Sequence, residues 1–498
     1  MIVESVRVNP NRSEFMSVEA KTTIIEHLGR QHQAMVDLLA DLVNIDSGSY
    51  NKRGVDAVGE RLRAWLEAAG TSCETFPNEI FGDCMAARIP GSGSGNRPIV
   101  LMGHRDTVFP DGTAAQRPFR IGGDQAFGPG VADMKAGLVM NTFVLESLRR
   151  FGAPCPLTGL YTSDEEIASP SSRPVIEAEA KDARAVFNAE PGRPSGNLVS
   201  RRKGAAFIEL EVTGRAAHSG AAHAQGVSAI EVLARKIQRL HRLTDYDLGT
   251  TINVGLVQGG TAVNTVAARA TAAIDVRFPT MNIMEKILGE VREICRCCEL
   301  PGSEARILRE GNFLPLEQDE KSRELLEAYG RSATGLGFEV GAEATGGSAD
   351  SGFTAALGTP TLCGTGPVGG NAHRDDEWCR IDTLVPRAQA LALTGGGGMI
   401  RHSLFRQKRG AVPERFEDNF AEGWRRKFLA NEAPLPLSPR RPGREGRVRG
   451  PTRRFAAPPT SPSRRCAAGP SLSPLGAERG SCPRVSAGAD TRRQKYCG

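Results

Sequence analysis

Two histidines and a set of carboxylates are spaced along this chain as a two-metal hydrolase would need them: His104, Asp106, Asp133, the pair Glu165-Glu166, Glu190 and, far downstream, His373. Two divalent ions a few ångströms apart require a bridging carboxylate, terminal ligands and an open face for water. Charge balance assigns Asp133 as the bridge, His104 and Glu190 to one ion, and Glu166 and His373 to the other. Three ligating carboxylates and one hydroxide then offset the four positive charges of two Zn²⁺. Glu165 is better left unligated, as the general base that takes a proton from water and hands it to the leaving amine. Asp106, two residues after His104, is placed to accept the other ring N–H of that histidine and fix its tautomer. Cobalt or manganese would suit the same donors. His27, His32, His241 and His402 lie in helical or tail contexts and read as structural.

Strand ends must deliver these side chains. Pro98-Ile-Val-Leu-Met102 reads as a buried strand running into His104, Leu157–Thr162 as one ending before Glu165, Ala183–Phe187 as one before Glu190, and Thr359–Cys363 as one before the loop to His373. Apolar residues at helical spacing predict helices over 18–45, 53–69 and 135–151. Strands alternating with helices imply an α/β fold with a mostly parallel sheet flanked by helices. Ligands collect beyond the carboxyl ends of such strands. Between 199 and 306 the order changes to β-α-β-β-α-β, the pattern of a ferredoxin-like α+β unit. The expected organisation is a discontinuous catalytic domain (18–198 and 307–400), an inserted domain at 199–306, and a tail from 401 to 498. Thr394-Gly-Gly-Gly-Gly398 is expected to break the closing helix and leave one edge poorly covered.

Composition separates body from tail. The formal net charge is +6, but residues 401–498 carry 22 Lys+Arg against 8 Asp+Glu, leaving 41 against 49 in the first 400. An acidic body is not a nucleic-acid-binding fold throughout. The tail holds 12 of the 31 prolines and little apolar surface, so disorder is expected there. One reading is an out-of-frame continuation, another a basic segment that grips nucleic acid or anionic lipid, with steeply salt-dependent binding. No apolar run reaches membrane-spanning length and the start has no signal-like core. Eleven cysteines show no disulfide framework, and Cys295-Arg-Cys297-Cys298 lacks the second half of a zinc site. These features together predict a cytoplasmic protein.

Met102-Gly-His-Arg-Asp-Thr-Val108, Gly128-Pro-Gly-Val-Ala-Asp-Met-Lys-Ala-Gly137, Thr162-Ser-Asp-Glu-Glu166 and Ala189-Glu-Pro191 resemble the metal-site motifs of the dizinc family of glutamate carboxypeptidase, acetylornithine deacetylase and succinyl-diaminopimelate desuccinylase. Gly214-Arg-Ala-Ala-His-Ser-Gly220 and Gly370-Asn-Ala-His-Arg-Asp-Asp-Glu377 extend the likeness, which spans about residues 20–394. Ser200-Arg-Arg-Lys-Gly204 points to the glutamate carboxypeptidase branch. The resemblance implies hydrolysis of an amide next to a free carboxylate, with N-acyl-amino-acid deacylation as the alternative, on a small peptide or acyl amino acid. It also implies a homodimer through the inserted domain. There His218 would reach the partner's site and steady the oxyanion, Asn264 would assist, and Arg277 would pair with the substrate carboxylate. Three positions depart from the family pattern: Arg105, expected to turn outward from the metals; Ala349; and Asn312, where glutamate-cleaving relatives tend to carry arginine. The loop Thr345–Gly352 offers backbone N–H groups for an anion.

Overall fold

The computed structural model describes residues 16–92 and 97–398. The tail expected to be disordered lies outside the described residues.

Four apolar strands lie side by side in the middle of an eight-stranded sheet, in the order Leu157–Thr162, Ile99–His104, Ala185–Asn188 and Thr361–Cys363. Their pairings are all parallel, and every residue in them is buried. Burial on both faces explains why runs such as Ile99-Val-Leu-Met102 do not alternate. Cys84–Ile89 and Ser72–Phe76 extend one side in antiparallel fashion. On the other side Leu198–Arg202 pairs antiparallel with Thr361–Cys363, and Ala342–Thr345 pairs parallel with Leu198–Arg202. The sheet is thus mixed and mostly parallel.

Helix Ala136–Phe151 is buried over most of its length and packs against helices Val18–Gly29, His32–Val43, Lys52–Ala68 and Leu384–Leu393. A Cβ on Gly137 would lie 2.0 Å from the carbonyl oxygen of Ala189. Glycine is therefore what lets the start of this helix meet the strand end that carries Glu190. The helical stretch expected over 18–45 is two helices, parted at Arg30-Gln31, where the Arg30 N–H caps the Glu26 and His27 carbonyls. The expected break at Thr394 is corrected as far as Gly398, and the chain beyond lies outside the described residues. Leu384–Leu393 is helical and packs on Val18–Gly29 and Ala136–Phe151, and Thr394–Gly398 prolongs it as a wide π-type turn. The Thr394 hydroxyl, bonded to Ser332 and to the Ala390 carbonyl, supports that turn.

Residues from Gly204 to Phe313 form a second, fully antiparallel sheet in the order Thr251–Gly259, Arg269–Phe278, Gly204–Thr213, Glu304–Phe313. Helices Ala229–His241 and Met281–Arg296 pack against it around a separate core that includes Leu210, Leu233, Ile274, Val276, Leu288 and Val291. A third sheet of very short strands joins Arg120–Gly122 and Gln125–Phe127 to Trp378–Arg380 and Gly369–Gly370. Among the described residues no helix is long and apolar enough to cross a membrane, and all eight cysteines are free thiols.

Candidate metal centre

The parallel strands deliver their side chains to one edge. His104 is the last residue of its strand. Glu165 and Glu166 open a short 3₁₀ turn after Leu157–Thr162, and Glu190 follows Ala185–Asn188. Asp133 comes from the turn before helix Ala136–Phe151, where Gly128 and Gly130 take positive φ. His373 sits in the loop between Gly369–Gly370 and Trp378–Arg380, itself in the left-handed region at φ 66°. Non-glycine residues rarely hold that conformation, and functional sites are where such strain collects. The third sheet matters here. It pairs Trp378 with Phe127 and so ties the segment leading to Asp133 to the loop of His373.

Asp133 stands between the two imidazoles. Its Oδ1 is 3.2 Å from His104 Nε2 and its Oδ2 is 3.5 Å from His373 Nε2. Glu190 Oε1 lies 3.6 Å from His104 Nε2, and Glu166 Oε2 lies 3.1 Å from His373 Nε2. Glu165 Oε2 is 3.9 Å from His104 Nε2. The six side chains proposed to ligate or to act as base thus converge. One ligand atom each from His104, Asp133 and Glu166 fall within 4.8 Å of one another. Two buried oxygens, Glu166 Oε1 and Glu190 Oε1, have no hydrogen-bond partner. Buried polar atoms are rarely left so, and divalent cations held here would account for both.

Charge tells the same story. Burial pushes the Asp133 carboxyl up, but hydrogen bonds and charge from His104 and His373 hold it well below the usual range. His373 is pushed up to about 11 by its hydrogen bonds to Asp133 and Glu166. Burial works against the charge of His104, yet Glu165, Asp106 and Asp133 still raise it. Glu166 rises to about 7 and Glu190 also rises, in each case chiefly through burial. Burial also lifts Glu165 well above an ordinary glutamate, with Glu190, Glu166 and Asp350 adding to it against the pull of His104. The pocket holds more negative charge than it can leave bare. Positive charge on the imidazoles would offset it, and bound metal cations would take that place.

Comparison with known proteins agrees. The sequence model of Peptidase family M20/M25/M40 matches residues 100–394. The chain belongs to this family. It is 30% identical over 371 residues to carboxypeptidase G2 of Pseudomonas sp. (strain RS-16), covering 73% of this chain and 88% of that protein. It is 30% identical over 340 residues to acetylornithine deacetylase of Myxococcus xanthus, covering 61% and 86%. An M20 family metallo-carboxypeptidase from Sulfolobus solfataricus shares the fold with a TM-score of 0.60 at 19% identity, over 74% of this chain and 99% of that one. The protein is therefore an M20 metallopeptidase or amidohydrolase, of carboxypeptidase-like or deacylase type.

Around the M20 centre stand Asp106 and, beyond it, residues that spacing alone did not single out. His104 Nδ1 faces two acceptors on Asp106, the carbonyl at 3.0 Å and carboxylate Oδ1 at 3.3 Å. That nitrogen must carry the proton, leaving Nε2 free for an ion. Asp106 also accepts from Ser49 Oγ at 2.6 Å and from the N–H groups of Glu165 and Glu166, both at 3.1 Å. Glu377 is 1% exposed and accepts from Gly130, Ala132 and Asp133 N–H at 3.3, 2.8 and 3.0 Å. Asp350 accepts from Ser169 and Thr162 beneath the Glu165 turn. Glu190 Oε2 meets Arg202 Nη2 at 3.2 Å. The only sequence signal for these was polarity at a strand end or in a glycine-rich loop, which does not announce burial.

The remaining candidates lie apart. His218 and Asn264 are exposed on adjoining loops of the second sheet, with Ser219 N–H donating to the Asn264 carbonyl at 3.0 Å. His218 Nδ1 accepts from Gly220 and Ala221 N–H. Among the described residues no hydrogen bond or ion pair joins either to the metal-centre residues. Arg277 is gripped by Asp275 through Nε and Nη2, each at 2.7 Å, and its Nη1 donates to Ser348 Oγ at 3.1 Å. Among the described residues Arg105 makes no hydrogen bond or ion pair with the side chains of the metal centre, yet it stays inside the fold. It is 2% exposed and runs inward under helix Lys52–Ala68, donating to the carbonyls of Val55, Thr162 and Asp83. Gly59 leaves room for its guanidinium. In the loop Thr345–Gly352 the N–H groups of Gly347 and Gly352 bond within the loop, and the Gly347 and Ser348 carbonyls turn to Arg202. Ala349 is buried in a small apolar cluster, and Asn312 accepts from Arg173 at 3.2 Å. Cys297 Sγ is held by Arg239 and Lys236 rather than by the other cysteines.

Proposed function

We propose that this chain is a two-metal exopeptidase that hydrolyses an amide bond next to a free carboxylate and releases a C-terminal amino acid. The observation that carries this reading is Asp133, each of whose oxygens faces a different imidazole. His104, Glu190 and one oxygen of Asp133 would hold one ion, and His373, Glu166 and the other oxygen the second. Imidazole and carboxylate donors suit zinc, with cobalt or manganese also fitting. Such a pair polarises a scissile carbonyl and makes water acidic enough to attack at neutral pH.

The protein's own groups do the rest. Asp106 fixes the His104 tautomer. Glu165, buried and raised by burial and by neighbouring carboxylates, takes the proton of the attacking water and returns it to the departing amine. A raised carboxyl is a stronger base at neutral pH than an ordinary glutamate. Arg277, anchored by Asp275 and Ser348, is the guanidinium we assign to the substrate carboxylate.

We read the unit from Gly204 to Phe313 as a ferredoxin-like lid that also dimerises. Its edge strand Thr251–Gly259 is largely exposed, with Leu256 at 67% and Val257 at 54%. A bare apolar edge invites pairing. His218 would then serve the partner's site. The acetylornithine deacetylase likeness keeps a second reading open, deacylation of an N-acyl amino acid by the same centre.

Hydrolysis of acyl-glutamate peptides, compared with N-acetyl and N-succinyl amino acids, decides between the two. The exopeptidase reading expects the peptides to be cut faster, chelation to abolish the reaction, and divalent ion to restore it. Turnover that survives complete metal removal would refute it.

A further inference from the structure

Arg202 is a buried cation that takes no direct part in the chemistry above. It is 8% exposed, and the Glu190 and Cys363 side chains that it meets are buried. Nη2 donates to Glu190 Oε2 at 3.2 Å. Nη1 donates to the Ser348 carbonyl at 3.2 Å and the Gly347 carbonyl at 3.4 Å, and Nε donates to Cys363 Sγ at 3.1 Å. Its backbone is equally fixed, since N–H and C=O both pair with Leu316 at 3.1 Å. Residues 202 and 316 belong to the two chain segments that lead into and out of the antiparallel sheet. Ser348 is held from both sides, its carbonyl by Arg202 and its hydroxyl by Arg277 of that sheet.

A buried charge of this kind needs its counter-ion, and removing one partner leaves the other uncompensated. Glu190 Oε2 is thereby committed to the guanidinium. Oε1 alone remains, buried and without a hydrogen-bond partner. A carboxylate with both oxygens free can chelate an ion through both, whereas the guanidinium competes for Oε2 and favours ligation through Oε1. Glu166 is different, because among the described residues no cationic side chain other than His373 is paired with its carboxylate. The two ligand carboxylates are therefore unlike by construction.

We propose that Arg202 is a positioning residue that restricts Glu190 to one-oxygen ligation, keeping the coordination number of the His104–Glu190 ion low enough for water or substrate to bind. The clamp also ties that ligand to the crossing strands of the inserted sheet. This inference rests on the two-metal reading. Outer partners that orient ligands commonly change affinity or activity by about 10–100-fold when lost, and a guanidinium cannot be replaced in kind by lysine at a site where it forks to a carboxylate and carbonyls.

The test uses full-length protein loaded with Co²⁺, comparing wild type with Arg202→Gln and Arg202→Lys by cobalt content, visible absorption and steady-state kinetics. Wild type must first bind two cobalt ions per chain; if it does not, the two-metal reading fails. Given that, freeing Glu190 should raise the cobalt coordination number and weaken the visible bands. It should also lower kcat by about 10–100-fold with KM little changed, the lysine variant falling between. Bands and kcat like wild type would overturn the proposal, as would a loss confined to thermal stability. Should the glutamine variant not fold, the lysine variant carries the same comparison alone.

Discussion

At the scale of single residues, Asp133 and Glu165 show how neighbouring carboxylates are given different work by their surroundings. Asp133 is held ionised by two imidazoles, whereas Glu165 is raised by burial among like charges. Glu165→Gln should keep two metal ions per chain and lower kcat by roughly 10²–10⁴-fold; elemental analysis beside steady-state rates checks both halves, and unchanged turnover would remove Glu165 as the base. Asp106→Asn leaves Ser49 and the Glu165 and Glu166 N–H groups without a carboxylate. Metal affinity should fall by about 10–100-fold, measured by competition with a chromophoric chelator. His104, Asp133, Glu165, Glu166, Glu190 and His373 were legible in the sequence because each follows a recognisable run or loop. Arg202 and Glu377 were not. Their importance lies in being buried, and a polar residue's burial is decided by contacts distant in sequence.

At the scale of elements, what matters is how closely the pieces meet. Helix Ala136–Phe151 begins against the Ala189 carbonyl, and Gly137 has no room for a methyl group. Gly137→Ala should push the helix off the sheet and cost about 1–3 kcal/mol, read as a lower midpoint in urea, with metal binding weakened because Asp133 and Glu190 flank the contact. A midpoint like wild type would show that the contact relaxes without cost. The four parallel strands and the β-α-β-β-α-β run could be read from apolar runs and alternation. The third sheet could not, since strands of two or three residues such as Gly369–Gly370 and Gln125–Phe127 are too short to show a period. Yet it is this sheet, with Glu377 clamping Gly130 to Asp133, that fixes Asp133 relative to His373. The break at Arg30-Gln31 was hidden because apolar spacing continues across it.

At the scale of the whole molecule, the metal-free protein should depend on pH in a definite direction. Burial raises Glu166 and Asp350 to about 7 and Glu377 to about 8. Between about pH 5 and 7 the folded chain holds protons that the unfolded chain has released, so stability falls as pH rises. His373, raised to about 11, acts the same way above its ordinary value. Lys135, pushed down to about 7 by burial, opposes this only at higher pH. The melting temperature without metal should therefore be lower at pH 7 than at pH 5, and metal should stabilise more at pH 7 because it replaces those protons. The joining of two divalent ions by Asp133 can be seen by anomalous X-ray scattering from zinc-loaded crystals. It predicts two peaks about 3.5–4 Å apart, one beside each Asp133 oxygen. A single peak, or peaks that leave Asp133 uncoordinated, would contradict it.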